Sequence, residues 1–190
     1  REKKAQESTL ALEFEVCINY LKQFLPDKDL IEYVCLDMAK LNKTEKGNVM
    51  NKIYEIAESC VRKTKFFQNF SPVHENEYSA LSRKNYNYNP EFNNLSLVNR
   101  AAQASNQQQK RSCVKQNGVV RVNCVDCLDR TNTAMFVVGK CALAHQLYSL
   151  GVIPYPNLGI DSVCERLLIE LYEKSGDAIA QQYAGSQLVH

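Results

Sequence analysis

The segment TAMFVVGKCALAHQLYSL, residues 133–150, constrains the fold more than any other part of the sequence. It is apolar on nearly all sides, and a helix of that kind has to lie inside a core. Gly151 follows it, at the position where a helix commonly ends. The run VVRV at residues 119–122 is typical of a buried strand, and Gly118 provides a turn ahead of it. The sequence therefore predicts a strand, a tight loop and a buried helix in succession.

A second helix is predicted over residues 161–176. Asp161 and Ser162 are candidates for its N-cap, because their side chains accept hydrogen bonds from the first free N–H groups of a helix. Its apolar residues share one face at helical spacing, which predicts the side that packs: Val163, Leu167, Leu168 and Leu171.

Residues 1–70 show the pattern of helix, strand and helix. Helical spacing of apolar residues begins at Leu10 and stops at Pro26. Residues 31–38, IEYVCLDM, are rich in β-branched and aromatic side chains, which favours a short strand. Helical spacing resumes over residues 48–67. Together with the strand ahead of the loop, this predicts an α/β fold with a central sheet flanked by helices.

Residues 71–117 separate the two structured blocks and have the composition of a loop. Seven Asn and four Gln fall between residues 85 and 109, where the apolar residues show no sustained period. A structureless loop of this length is unusual inside a compact domain, so a disordered insertion is predicted. The chain is thus expected to contain two parts of one domain, residues 1–70 and 118–190, on either side of the insertion.

Composition narrows the class of protein only a little. With 190 residues, 45% of them hydrophobic, the chain is long enough for one ordinary core. Its net charge of +2 is too small to indicate a nucleic-acid partner. Basic residues concentrate between residues 78 and 121, which indicates either a solvated loop or a segment near an anionic surface. No apolar run approaches the roughly 18 residues that span a bilayer, and no signal-peptide pattern opens the chain.

The eight cysteines show no disulfide framework of a small secreted domain, which favours a reducing, cytoplasmic compartment. Five of them occur in apolar, periodic segments and are expected to be small buried side chains: Cys17, Cys35, Cys60, Cys141 and Cys164.

The run VRVNCVDCLDRTN, residues 120–132, carries the chemistry. It places Cys124 and Arg130 at Cys-x5-Arg spacing between the predicted strand and a helix that starts near Thr131. Backbone N–H groups of such a loop converge on one centre, and the positive end of the helix adds to them, so the loop is suited to bind a phosphoryl group. The residues expected to provide this phosphate-binding loop are Val125, Asp126, Cys127, Leu128, Asp129 and Arg130.

Cys124 is the predicted nucleophile, because the loop favours its thiolate, and a thiolate beside a bound phosphoryl group can form a cysteinyl-phosphate. Arg130 can hold two phosphoryl oxygens with its planar guanidinium group. The leaving oxygen needs a proton, for which Asp126 is the first candidate and Asp129 the second. Asp129 could instead hold the loop by accepting N–H bonds or by pairing with Arg121.

Thr131 and Cys127 each have two interpretations. The Thr131 hydroxyl could donate to the Cys124 thiolate as it leaves, or cap the helix. Cys127 completes a CxxC motif with Cys124, which suits redox chemistry or an oxidative off-switch, but does not explain Arg130. A small packed side chain is the simpler role for Cys127. A zinc site would need a second CxxC motif or a pair of histidines at ligand spacing, and the three histidines are far apart: His74, His145 and His190.

The run RVNCVDCLDRTN resembles the signature of the Sac-domain phosphoinositide phosphatases, with Val122 in place of the usual Thr. The resemblance extends over FVVGKCALAHQLYSLGVI and QQYAGSQLVH, where Ala184 replaces the usual Gly. In the first block, INYLKQFLP, LDMAK and IAESCVRKTKFF resemble the subgroup that acts on phosphatidylinositol 3,5-bisphosphate. The family pattern also assigns the nucleophile to Cys124 and the phosphate-binding arginine to Arg130.

The resemblance implies removal of the 5-phosphate from an inositol lipid by a protein peripheral to endosomal or vacuolar membranes. It implies two protein partners, a helical-repeat scaffold and the lipid kinase that makes the same bisphosphate. No cofactor or bound metal is implied, although some members of the family need a divalent cation. Because members carry a β-rich subdomain ahead of this region, activity is expected of a larger protein. The alternative function is a non-catalytic subunit that assembles the scaffold and kinase complex.

Overall fold

The computed structural model describes residues 5–44, 49–69, 114–159 and 162–187. The chain divides into two compact units, Arg1–Lys52 and Ile53–His190. The described residues contain five α-helices: α1 (Ala5–Lys22), α2 (Met38–Thr44), α3 (Val49–Thr64), α4 (Asp129–Ser149) and α5 (Val163–Ala184).

In the first unit, the helix that the apolar spacing predicts is α1, and it ends ahead of Pro26 as expected. Pro26 itself precedes a single 3-10 turn, Asp27–Asp29. The predicted strand at residues 31–38 is wrong: residues 31–37 are irregular, and Met38 already begins α2. Asp37 starts that helix, because its Oδ1 accepts the N–H groups of Ala39 and Lys40, both at 3.0 Å.

The core of the second unit includes one buried stripe on α3 and one on α4. On α3 the buried side chains recur every fourth residue, at Ile53, Ala57 and Val61. On α4 the buried apolar side chains follow the same helical spacing: Val137, Cys141, Ala144 and Tyr148. Burial of such a stripe is the main source of helical stability in a globular protein.

The prediction that α4 is buried on nearly all sides holds in part: most of its side chains are buried or half-buried, but Met135 is 40% exposed. Its end is as predicted: Gly151 has φ +72°, a left-handed conformation that terminates a helix without a steric cost. Its start is two residues earlier than Thr131, at Asp129.

The predicted α/β fold is wrong for the part of the chain that the structure describes, which is helical and contains no sheet. Residues 119–122 belong to no helix or strand, and Val119 is 82% exposed rather than buried. Among the described residues, strand-like pairing is confined to one bridge, Gln68 with Val114. The physical reason is that strand-forming side chains do not suffice: a strand needs a neighbouring backbone to complete its hydrogen bonds.

Helix α5 confirms one N-cap candidate. The Ser162 hydroxyl accepts the N–H of Glu165 at 3.2 Å, whereas Asp161 lies outside the described residues. The predicted end at Gly176 is wrong, because α5 continues through this buried glycine to Ala184 and ends at Gly185, which has φ +73°. The predicted packing face is wrong as well. Three of its four residues are exposed, at 63%, 56% and 63%: Val163, Leu167 and Leu171.

Helices α4 and α5 pack through a contact centred on Tyr172. Its ring stands edge-on to that of Phe136, with centroids 5.9 Å apart. A Cβ atom at Gly139 would lie 2.4 Å from the Tyr172 hydroxyl, so the absence of a side chain at Gly139 allows this approach. A salt bridge between Lys140 and Glu165 joins the same two helices.

The predicted insertion, residues 71–117, lies mostly outside the described residues, which resume at Val114. Gln68 and Val114 exchange two backbone hydrogen bonds of 2.9 and 3.0 Å. The Gln68 side chain also accepts the Ser149 hydroxyl at 2.6 Å, and both residues are buried. The two ends of the insertion therefore meet at one point on α4.

Burial of the cysteines is predicted correctly only in part. Cys141 is buried and Cys60 partly so, whereas Cys17, Cys35 and Cys164 are exposed. In the part of the chain that is described, no helix combines the length and the hydropathy that crossing a membrane would require.

Candidate active site

Residues 124–128 form a tight turn that leads into α4, and the two cysteines stabilise it. The Cys127 N–H points to the Cys124 sulfur at 3.2 Å, and the Cys124 N–H points to the Cys127 sulfur at 3.4 Å. The Cys127 thiol donates to the Cys124 carbonyl at 3.1 Å. Cys127 has φ +56°, which is uncommon for a residue other than glycine. Each cysteine thus binds the backbone of the other.

The Asp126 carboxylate is the centre of the loop. Its Oδ1 accepts the Cys124 thiol at 2.9 Å and the Leu128 N–H at 3.2 Å. Its Oδ2 lies 3.8 Å from Nη2 of Arg130. The hydrogen bond from Cys124, followed by that from Leu128 and the charge of Arg130, lowers the pKa of Asp126 below its usual 3.8. Asp126 is therefore ionised at neutral pH.

The structure brings together three of the predicted catalytic residues: Cys124, Asp126 and Arg130. Arg130 lies in the first turn of α4, so the positive end of that helix faces the loop. Two loop N–H groups point to side chains of the site: that of Cys127 to the Cys124 sulfur and that of Leu128 to the Asp126 carboxylate. Convergence of the loop N–H groups on one phosphate centre stays a prediction. The arrangement thus holds an anion next to a thiol and a guanidinium group.

Thr131 is 5% exposed, and its hydroxyl is buried without a hydrogen-bond partner among the described residues. The N-cap interpretation is wrong for Thr131, because α4 begins at Asp129 and Leu128 holds the N-cap position without a side-chain bond. The alternative, donation to the leaving Cys124 thiolate, stays a prediction.

The remaining loop residues are more exposed. Asp129 is an exposed acid in the first turn of α4, where a negative charge suits the helix dipole, and its carbonyl accepts the Thr133 hydroxyl at 3.0 Å. Val125 is 52% exposed. Cys127 is exposed as well, so it is not the packed side chain that we predicted, and both loop cysteines are free thiols.

Of the three histidines considered as zinc ligands, the structure describes only His145. His145 is 2% exposed in the α3–α4 core, where its Nε2 lies 3.0 Å from Glu58. His74 and His190 lie outside the described residues. Within the described ranges, no three His, Cys, Asp or Glu side chains gather as a metal site would require.

Asn132 is a residue whose role sequence reasoning missed. Its side-chain Nδ2 donates to the Tyr172 carbonyl at 3.1 Å, which links the first turn of α4 to α5. The only sequence signal was its position two residues after Arg130. The contact itself depends on the tertiary approach of α5.

No protein-family model matches the chain. The chain is 40% identical over 189 residues to polyphosphoinositide phosphatase of Schizosaccharomyces pombe, covering 100% of this chain and 18% of the relative. It is 30% identical over 211 residues to phosphatidylinositol-3-phosphatase SAC1 of Arabidopsis thaliana, covering 97% and 23%. It is 31% identical over 198 residues to phosphoinositide phosphatase SAC4 of the same plant, covering 97% and 24%.

These similarities support the resemblance to the Sac-domain phosphoinositide phosphatases. They extend over nearly all of this chain, although the chain spans only 18% to 24% of the length of these relatives. The names of the relatives are not uniform in the lipid or the phosphate position that they specify.

Proposed function

We propose that this chain is part of a cysteine-dependent phosphoinositide phosphatase that removes the 5-phosphate of phosphatidylinositol 3,5-bisphosphate. The observation that carries the proposal is the loop in which the Asp126 carboxylate contacts both Cys124 and Arg130 at the start of α4. Similarity to proteins named phosphoinositide phosphatases supports the substrate class. The choice of lipid and of the 5-position rests on the subgroup resemblance of the first block.

In the proposed reaction, the Cys124 thiolate attacks phosphorus while the bond from phosphorus to the inositol oxygen breaks. Arg130 holds two of the phosphoryl oxygens and stabilises their charge in the transition state. A carboxylic acid protonates the inositol oxygen as it leaves. Water then attacks the cysteinyl-phosphate, which releases phosphate and restores the thiolate.

The proton donor is Asp126 or Asp129. Asp126 is nearest to the nucleophile, but its lowered pKa means that it has to gain a proton before it can donate one. The pH profiles of Asp126→Asn and Asp129→Asn distinguish them, because the variant that lacks the donor loses the limb of the profile that requires an acid. If the acid-requiring limb is unchanged in both variants, water or another group supplies the proton.

Thr131 is proposed to donate its hydroxyl to the Cys124 sulfur when the thiolate leaves. Its buried hydroxyl lacks a partner among the described residues. Such a group costs about 1–3 kcal/mol in the resting state, and a hydrogen bond to the leaving thiolate would relieve that cost. Thr131→Val is therefore expected to slow hydrolysis of the cysteinyl-phosphate more than its formation. Burst kinetics separate the two steps; a variant that slows both equally argues for a structural role.

The proposed protein works at the cytoplasmic face of endosomal or vacuolar membranes, together with a helical-repeat scaffold and a phosphoinositide kinase. This part of the proposal rests on the subgroup resemblance alone. Co-purification of the full-length protein with those two partners tests it, and capture of neither argues against this assembly.

The decisive experiment is turnover of phosphatidylinositol 3,5-bisphosphate in vesicles by the full-length protein. Cys124→Ser is expected to abolish phosphate release, whereas Cys164→Ser, an exposed cysteine on α5, serves as the control and retains it. Unchanged turnover in Cys124→Ser would exclude the nucleophile assignment. No turnover in the wild-type protein would instead favour the non-catalytic subunit. Separation of the 3-phosphate and 5-phosphate lipid products tests the position of attack.

A further inference from the structure

The contacts of Asp126 are those that a bound phosphoryl group would make. One carboxylate oxygen accepts the nucleophile's thiol and a loop N–H, from Cys124 and Leu128. The other faces the guanidinium group of Arg130 at 3.8 Å. A phosphoryl group bound for in-line attack needs the same three partners: the sulfur, loop N–H groups and the arginine.

The geometry points to Asp126 as an internal anion that occupies the phosphoryl site of the empty loop and is displaced by the substrate. This inference rests on the proposed function, and it assigns Asp126 a role in substrate affinity in addition to any role in proton transfer. A carboxylate carries one negative charge and two oxygens, whereas a phosphoryl group carries up to two charges and three oxygens. The phosphoryl group therefore makes more of these charge-assisted bonds and wins the competition.

The exposure of the ion pair makes this exchange easy. The side chains of Asp126 and Arg130 are 45% and 27% exposed, so water stabilises the carboxylate once it has moved out.

The test is calorimetric titration of the full-length protein with inorganic phosphate at pH 7. Asp126→Asn removes the competing charge and is expected to bind phosphate about two- to fivefold more tightly, the range set by an exposed ion pair. Asp129→Asn is the matched control, because it removes an equal charge from the same loop region without an ion pair to Arg130 among the described contacts. It is expected to change phosphate affinity less.

An equal gain in phosphate affinity in Asp126→Asn and Asp129→Asn would mean that net charge alone causes the effect, and it would overturn the inference. Unchanged or weaker phosphate binding in Asp126→Asn would overturn it as well. Neither result affects the proposed reaction, which the Cys124→Ser assay tests separately. If no form binds phosphate, both the inference and the phosphate-binding role of the loop fail. Asp126→Ala, with far-ultraviolet circular dichroism to verify folding, provides a second variant with the same expected direction.

A parallel titration with a soluble short-chain phosphatidylinositol 3,5-bisphosphate distinguishes free phosphate from the lipid headgroup. It uses Cys124→Ala, which cannot turn the lipid over, with and without Asp126→Asn. A gain in both titrations is expected, because the displaced contact is to the phosphoryl group that both ligands share. A gain with the lipid alone would place the effect elsewhere in the headgroup and contradict the inference.

Discussion

The backbone of Cys127 is left-handed, with φ +56°. This conformation costs a residue with a Cβ atom about 1–2 kcal/mol. In this conformation its N–H points to the Cys124 sulfur, and the next N–H, of Leu128, points to the Asp126 carboxylate. The conformation is thus tied to the contacts of the candidate site. The second cysteine of the CxxC motif shapes the turn that presents the first.

Replacement of Cys127 tests this backbone role. Cys127→Ala and Cys127→Val both remove the sulfur and its bonds to Cys124, but only valine adds a β-branched side chain at positive φ. We expect Cys127→Val to be less stable than Cys127→Ala by about 1 kcal/mol in urea denaturation. Equal stability of the two variants would mean that the turn relaxes to negative φ at no cost.

Helices α3 and α4 are joined by a partly buried ionic cluster. The Glu58 carboxylate accepts a hydrogen bond from the Nε–H group of Arg62 at 2.7 Å, and it lies 3.0 Å from Nε2 of His145. Burial raises the pKa of Glu58, but the hydrogen bond from His145 and then that from Arg62 outweigh burial, so the net shift is below the usual 4.5. In the same core, burial raises the pKa of the Cys141 thiol to about 12.

This cluster predicts an acid-dependent loss of stability. A carboxyl group whose pKa is depressed in the folded state contributes stability above its unfolded pKa, and the contribution disappears as pH falls through the folded value. Glu58→Gln should therefore be less stable than the wild-type protein by about 1–3 kcal/mol at pH 7, and the difference should shrink below pH 4.5. Urea denaturation at several pH values measures it. The control is Glu55→Gln, an exposed acid on α3; an equal effect there would argue against the cluster.

The contact of α4 with α5 depends on Gly139. Alanine is normally better than glycine in a helix by about 1 kcal/mol, but here its Cβ would lie 2.4 Å from the Tyr172 hydroxyl. We expect Gly139→Ala to destabilise the protein by about 1–3 kcal/mol, the usual cost of overpacking.

The matched control for this substitution is the same change in a Tyr172→Ala background. Without the ring, Gly139→Ala should be neutral or stabilising by up to about 1 kcal/mol, which gives a large coupling in the double-mutant cycle. Thermal or urea denaturation of the four proteins measures it. Additive effects of the two substitutions would show that Tyr172 moves aside without cost.

At the scale of the whole molecule, the backbone bridge between Gln68 and Val114 holds together the two chain segments that flank residues 70–113. Its two backbone hydrogen bonds, with the buried bond from Ser149, hold the ends of the insertion independently of what lies between them. The division of the chain at residues 70 and 118 stays a prediction, but this closure supports it. It also explains how a long segment can interrupt the sequence between α3 and the candidate site.

Replacement of residues 70–113 by a six-residue Gly-Ser linker should therefore leave the second unit folded. Stability is expected to stay the same or to rise by up to about 2 kcal/mol, because a shorter loop costs less entropy to close. Gln68→Ala in the shortened protein breaks the bond to Ser149 and should lower stability by about 1–2 kcal/mol. Denaturation followed by circular dichroism measures both, and an unfolded shortened protein would contradict the closure.

Local patterns in the sequence predict much of the helical structure and of the site. The spacing over residues 48–67 predicts α3 to within three residues at either end, and Ser162 and Gly151 mark helix ends as expected. Cys-x5-Arg spacing places Cys124 and Arg130 beside the same carboxylate. These features depend on neighbours in the chain. The errors concern distant partners. Residues 31–38 and 119–122 have strand-forming side chains, but neither range forms a strand in the described part of the chain.

The sequence by itself determined the positions of α1, α3 and α4, the cap at Ser162, the helix end at Gly151 and the set of reactive side chains in one loop, because hydrogen bonds over two to four residues decide them. The tertiary structure alone decided that α5 packs through Gly176 and Ala180 instead of its leucines, since the approach of α4 at Tyr172 selects the face. It also decided that the Asp126 carboxylate turns toward both Cys124 and Arg130. Several orientations of that side chain suit the sequence, and only the folded loop with its helix terminus selects this one.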